Sequence, residues 1–343
     1  MIKTCCIIDG NYLLYKDVFI LKKSRSINED LIALMSRDYD KITKSYPFDK
    51  IYFVSDRGKS WRKEFLDIEY KGTRKKDETI DWDFVFKEYD DFKQSISNNP
   101  RCNLIEVDGL EGDDILAYIV KQSNKQGYTN MIVSSDADIQ QLIHYDIEKN
   151  YINVMWNYKF NDQRVYVPEN YKIFLDGLNG DSNDIFSLSN EDEFVNYLEQ
   201  LIMNTKLKEV NDEKSLFCKI VSGDSGDNVK GVMKVKNGVW DDENGRGIGD
   251  IGAEKCYDIY KEMYPDNIDF KSKQFVERCK DVAIYYKKIT NQEVSNKVTE
   301  NITMNIQLVY LDEWVLPEIL LEKMKMRLPE FKSEEEKDDF WDF

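Results

Sequence analysis

Nine carboxylates stand in short motifs at the ends of apolar runs: Asp9, Asp56, Glu111, Asp113, Asp114, Asp136, Asp138, Asp224 and Asp227. A single Asp at such a place is ordinarily a helix cap or turn former. Five such places in one chain exceed what capping requires. In VDGLEGDDILAYIV, Glu111 and Asp114 are three apart and share a face of a first helical turn, with Asp113 reaching sideways. The helix N-terminus favours these charges, and capping accounts for one or two of them. Packed this closely, however, the acids repel one another in a way that a bound cation relieves. In SSDAD, extended backbone turns Asp136 and Asp138 to one side, where both can grip one ion. In GDSGDN, Asp224 and Asp227 flank glycine that permits a tight turn.

Hard oxygen donors with no His or Cys beside them select Mg²⁺ or Mn²⁺ over zinc. The chain has one histidine, His144, which follows QQLI at the end of an expected helix, where a surface or capping role suits it. Acid–base catalysis by histidine is thereby all but excluded. What remains is two-metal hydrolysis, in which a pair of ions about 4 Å apart activates water and stabilises the attacking and leaving oxygens. Phosphodiester cleavage fits that chemistry best.

The elements that must position these acids are legible as repeated runs. CCIID at 5–9, IYFVSD at 51–56 and MIVSSD at 131–136 read as buried parallel strands, with helices expected over 82–96 and 112–126. Alternation of this kind predicts an α/β fold with a doubly wound, mostly parallel sheet. Sites in such sheets form beyond the carboxyl ends of the strands, which is where Asp9, Asp56 and Asp136 fall. From 57 to 76 the chain is basic and lacks a clean apolar face, in RGKSWRK and YKGTRKK, and it reads as a flexible or helical arch. The expected organisation is a catalytic core over 1–175 with an arch at about 57–95, a connector at 176–215, a helical region at 216–330, and an acidic-aromatic tail at 331–343. Glycine-rich loops between 218 and 264 lead into a helix expected at Ala253.

Composition sets outer bounds. At 343 residues the chain calls for a core with an appended smaller domain. With 41% hydrophobic and 33% charged residues it can bury a sheet but offers no membrane span. The opening MIKTCCIIDG is too brief for a signal peptide. Six cysteines without CxxC spacing read as reduced thiols in the cytoplasm, Cys5 and Cys6 on opposite faces of one strand. A net charge of −17 argues at first against nucleic acid. Divalent ions held by the acids invert the local field, so an acidic pocket can still attract phosphate.

The order of IIDGNYLLY, VSDRGKSWRKEF with EYKGTR, VDGLEGDDILAY, IVSSDADIQQL and GDSGDNVKGV resembles the 5′-nuclease (flap endonuclease) family over about residues 4–310. That family includes the phage ribonuclease H enzymes, the nearest in character, and the 5′-nuclease domains of bacterial DNA polymerases. The resemblance implies a structure-specific 5′-3′ exonuclease and flap endonuclease that removes RNA primers in DNA replication. Asp9, Asp56, Glu111 and Asp113 would serve one metal position, and Asp114, Asp136, Asp138, Asp224 and Asp227 the other. Lys71 matches an arch lysine that contacts the scissile phosphate, and Arg62 is a second basic candidate. Lys63 and Arg74 join them as nucleic-acid-binding groups, and Tyr15 falls where the family stacks an aromatic on the terminal base.

After GDSGDN the chain resembles the family's helix–hairpin–helix element, which grips duplex backbone with a monovalent ion, K⁺. This chain inserts KVKNGVWDDENGR before GIGDIG, so either GVMKV or GIGDIGA, with Gly247, Gly249 and Gly252, answers to the backbone-binding loop. DDFWDF resembles the tails by which phage replication proteins plug into a sliding clamp. Its Phe340, Trp341 and Phe343 invite such a partner or a single-stranded-DNA-binding protein. The implied substrates are branched or nicked duplex DNA and RNA–DNA hybrid with a 5′ end. Two other readings stand beside this one: a PIN-like ribonuclease acting on single strands, and a catalytically inactive DNA-binding scaffold. The lack of a polymerase segment after the nuclease region points to a stand-alone enzyme.

Overall fold

The computed structural model describes residues 2–66, 69–159, 162–178, 193–232, 234–235, 246–290 and 298–331. The elements follow in the order β1 (Lys3–Asp9), α1 (Gly10–Ser24), α2 (Ile27–Thr43), β2 (Lys50–Val54), α3 (Trp61–Phe65), α4 (Trp82–Ser97), β3 (Cys102–Ile105), α5 (Gly112–Lys125) and β4 (Tyr128–Val133). A 3-10 turn at Ala137–Leu142 leads to β5 (Tyr145–Asp146), β6 (Tyr151–Asn157), β7 (Arg164–Pro168), α6 (Tyr171–Leu178), α7 (Glu193–Met203) and β8 (Lys206–Val210). Then come α8 (Asp212–Ser222), β9 (Lys234–Val235), β10 (Arg246–Gly247), α9 (Gly249–Met263), α10 (Lys273–Thr290), α11 (Val298–Val309) and α12 (Glu318–Arg327). None of the described helices is long and apolar enough to cross a membrane.

The chain divides into two compact units. The first takes Met1–Trp61, Asp77–Val210 and Asp312–Phe343. Its sheet runs β3-β2-β1-β4-β6-β7-β8, with β5 beside β6. All pairs are parallel except β5 with β6 and β6 with β7. Growth of the sheet reverses direction between β1 and β4, the crevice where α/β sheets place their sites. The expected α/β fold is therefore present. Strands here read as unbroken apolar runs because both faces are covered: Cys6 and Ile8 join a core with Leu13, Met35 and Phe92, while α5 packs across β4, β1 and β2 on the opposite face. All six cysteines are free thiols.

Several boundaries differ from the linear division expected: 62–76 fall in the second unit, and 193–210 of the connector fall in the first, with β8 beside β7. Residues 77–95 belong to the first unit rather than to an arch, because α4 buries Val85, Tyr89, Phe92 and Ile96 at helical spacing. Residues 312–331 likewise belong to the first unit. Lys121 Nζ pairs with Asp312 at 2.7 Å, the Tyr52 hydroxyl donates to Glu330 at 2.9 Å, and Leu320, Met324 and Leu328 are buried. Residues 179–192 of the connector, the insertion except its ends, Met233 of GVMKV and the tail from 332 lie outside the described residues.

The second unit takes Arg62–Lys76 and Asn211–Leu311. Phe217 of α8 packs edge-on against Tyr257 and Tyr260 of α9 and Phe275 of α10, at 5.5, 5.3 and 6.2 Å. Buried Asn305 of α11 donates to the carbonyls of Ile220 and Lys230, at 2.7 and 2.8 Å, and so ties α8 to the loop that follows it.

Candidate active site

Three strand ends deliver the acids of the first unit. Asp9 closes β1 and caps α1: Oδ1 accepts the Tyr12 N–H at 2.9 Å, and Oδ2 accepts the Ser134 hydroxyl at 2.8 Å. Burial raises its pKa to about 6; those two hydrogen bonds oppose the shift, and the charges of Asp56 and Asp136 add to it. Asp56 is exposed two residues beyond β2. Its Oδ1 accepts the Gly112 N–H at 2.6 Å, an amide of the first turn of α5, where the helix end favours negative charge.

On α5, Glu111 is buried at the N-cap and Asp113 half-buried in the first turn. Asp114 turns inward: its Oδ2 accepts the Trp61 indole N–H at 3.0 Å and the Glu111 N–H at 3.3 Å. Asp136 caps the 3-10 turn and accepts the Asp138 N–H at 2.8 Å. Seven expected acids thus share the first unit. Among the described residues, no three His, Cys, Asp or Glu side chains are already drawn in close enough to hold one ion. The donors at these strand ends are all carboxylate oxygens, and the mutual repulsion felt at Asp9 is the kind a hard cation relieves, so the set fits Mg²⁺ or Mn²⁺.

Asp224 and Asp227 lie in the second unit, in a loop closed by reciprocal backbone bonds between Asp224 and Val229 at 3.0 and 2.7 Å. Gly223 opens it at φ 70°, and a Cβ there would sit 2.5 Å from the Gly231 nitrogen. Burial works against charge on Asp224, but Lys219 at 2.6 Å and the Gly226 and Asp227 amides outweigh it and hold the carboxyl below its usual range. Asp227 accepts from the Tyr70 hydroxyl at 3.2 Å and pairs with Arg74. Lys71 is in left-handed backbone at φ 55°, its N–H bonded to the Asp227 carbonyl at 2.9 Å and its Nζ 3.9 Å from the carboxylate. The basic segment is therefore stitched to the acidic loop within one unit.

Arg62 corrects an expectation. It is 2% exposed, its Nε donating to the Leu308 carbonyl at 2.9 Å, so it serves as a buried strut rather than a group facing solvent. Lys63 is half-buried on α3. Tyr15 is 40% exposed, its ring 5.7 Å from that of Trp82. Gly247 pairs with Lys234 in β10, Gly249 opens α9 at φ 66°, and Gly252 leaves a Cβ no room, 2.8 Å from that of Ile248. His144 is exposed and stacked on Tyr145. The Gly112 amide and the Ser134 hydroxyl were not singled out from sequence. The Gly after Glu111 and the first Ser of SSDAD, two positions before Asp136, were the only signals available.

Residues 4–171 match the family described as 5′-3′ exonuclease, N-terminal resolvase-like domain. A 5′-3′ exonuclease of Mycoplasmopsis pulmonis is 25% identical over 348 residues, covering 97% of this chain and 95% of that protein. Ribonuclease H of Enterobacteria phage T4 is 29% identical over 109 residues, 31% of this chain and 36% of the phage protein. Among solved structures, T5 5′-exonuclease with divalent zinc ions bound superposes with a TM-score of 0.57 at 18% identity, covering 96% of this chain and all of that one. The bacteriophage T5 flap endonuclease in complex with DNA and metal ions gives a TM-score of 0.57 at 18% identity, covering 96% of this chain and 99% of that one. Fold, acidic strand ends and these relatives agree: residues 4–171 belong to the 5′-3′ exonuclease N-terminal, resolvase-like family, and the chain along nearly its whole length is similar to a 5′-3′ exonuclease.

Proposed function

We propose that this protein is a divalent-metal-dependent, structure-specific 5′ nuclease that hydrolyses phosphodiesters near the junction of a 5′ flap or an RNA–DNA hybrid, removing RNA primers during DNA replication. The observation that carries the reading is the electrostatic meeting of Asp9, Asp56 and Asp136 at the crevice of a doubly wound sheet, with carboxylate oxygens as the donors. Two Mg²⁺ or Mn²⁺ ions, when bound, supply an activated water and neutralise charge on the leaving oxygen. Asp9, Asp56, Glu111 and Asp113 would hold one ion, and Asp114, Asp136 and Asp138 would hold the other. Tyr12 and Gly112 keep the Asp9 and Asp56 carboxylates turned to their task through backbone amides. In the second unit, Lys71 is the cation offered to phosphate, Asp224 and Asp227 are further metal-directed acids, and the glycines of α9 approach duplex backbone with K⁺. The tail aromatics are offered to a sliding clamp or single-stranded-DNA-binding protein.

The named activities of the mycoplasmal and phage relatives, and the DNA and metal ions described with the T5 enzyme, support this assignment. The test is cleavage of a 5′-labelled flap duplex and an RNA–DNA hybrid in Mg²⁺ or EDTA, comparing the wild type with Asp136→Asn. Magnesium-dependent products at the junction, abolished by the substitution, are expected. Equal cleavage of single-stranded RNA lacking a junction would overturn the substrate assignment, and duplex binding without any cleavage would overturn catalysis.

A further inference from the structure

We infer that Ser134 is a positioning residue for divalent metal: its hydroxyl fixes the Asp9 carboxylate relative to the Asp136 backbone and thereby sets the affinity of the site. The inference rests on the metal-dependent reading above and adds a residue to it.

Ser134 is the residue after β4, and it is fully buried. The register pairs Ile8 with Val133 in parallel strands, so Asp9 and Ser134 are the next residues of each chain at the crevice. The Oγ accepts the Asp136 N–H at 3.1 Å, which leaves its own hydrogen for Asp9 Oδ2 at 2.8 Å. A backbone N–H can only donate, so with Asp9 ionised the direction of both bonds is settled without seeing the hydrogen. Asp9 is consequently held from two sides, Oδ1 by the Tyr12 amide of α1 and Oδ2 by Ser134 of the neighbouring strand. A carboxylate pinned at both oxygens has its plane and tilt fixed before any ion arrives, so less ordering remains to be done on binding. The same hydroxyl orients the backbone from which Asp136 and Asp138 project. One buried side chain therefore couples acids from two strands. Hydrogen-bond partners of metal ligands typically contribute about 10–100-fold to metal affinity.

Loss of the hydroxyl in Ser134→Ala removes the donor to Asp9, and Ser134→Cys keeps the shape, at slightly larger volume, with a poor donor. Ser134→Thr retains the hydroxyl, and Ser135→Ala, at the exposed neighbouring position, serves as the control. Mn²⁺ binding to the full-length protein is measured directly by electron paramagnetic resonance titration. Alongside it run duplex binding in EDTA by fluorescence anisotropy and the thermal melting profile. Ser134→Ala and Ser134→Cys are expected to weaken Mn²⁺ by about tenfold or more, with duplex affinity unchanged. Threonine restores affinity, and Ser135→Ala matches the wild type. Wild-type affinity in the Cys variant, or loss of duplex binding in step with Mn²⁺ in both variants, overturns the role assigned to Ser134 alone. A wild type that binds no Mn²⁺ overturns the metal reading and this inference together.

Discussion

Metal binding should fail on the acid side through Asp9. Burial, reinforced by Asp56 and Asp136, lifts its carboxyl pKa to about 6 against the bonds from Tyr12 and Ser134, so at about pH 5 roughly nine in ten molecules carry a proton where the proposed ion would sit. Each ion bound there displaces that proton, and apparent affinity should drop about tenfold between pH 7.5 and pH 5. The same shift has a sign in folding. A raised pKa contributes stability that is fully present below the unfolded value of 3.8 and is lost as pH climbs through about 6. At neutral pH the charged Asp9, only 8% exposed, costs the metal-free fold of order 3 kcal/mol, which a bound cation offsets. Calorimetric Mn²⁺ titrations in two buffers of different ionisation heat should show proton release of about one per ion at pH 5 and almost none at pH 7.5. Added Mg²⁺ should raise the melting temperature more at pH 7.5 than at pH 5. Affinity that is flat across this range, with no buffer dependence of the heat, would refute the reasoning.

Asp17 offers a test away from the site: it is fully buried, and burial raises its pKa to about 6 despite Lys16 at 2.7 Å. By the same sign, Asp17→Asn should stabilise the protein at pH 8 by up to about 3 kcal/mol in urea unfolding, with the gain vanishing below about pH 4. An Asn variant no more stable than wild type at pH 8 contradicts this. In the second unit, Asn305→Ala removes two buried hydrogen bonds and should cost about 2 kcal/mol, read by hydrogen exchange at the 220–231 loop. Unchanged protection there would show that Asn305 is not the tie.

What the sequence revealed was local in kind. An apolar run stopped by Asp is a short pattern, so β1, β2 and β4 and the acids at Asp9, Asp56 and Asp136 could be read directly. The rest depended on partners far along the chain. Arg62 looks like part of a solvated basic run until its carbonyl partner, Leu308, is seen 246 residues away. The inward turn of Asp114 is set by Trp61, 53 positions earlier. β8, KLKEV, is exposed at four of its five positions and shows no alternation, although it pairs with β7 along its length. The helical pattern at 82–96 was legible, but its membership in the core depended on packing against α2 and β3.

The return of residues 312–331 to the first unit has a consequence for how the protein is made. Chains fold as they emerge, with N-terminal parts first, yet the partners of Tyr52, Lys121 and Gln126 are Glu330, Asp312 and again Glu330. Those partners leave the ribosome only after all of Asn211–Leu311 has been synthesised. The first unit must therefore wait, its sheet assembled but one flank uncovered, while the second unit is produced in full. A chain stopped near residue 311 would keep every strand-end acid of the first unit and still lack part of the surface that covers its sheet.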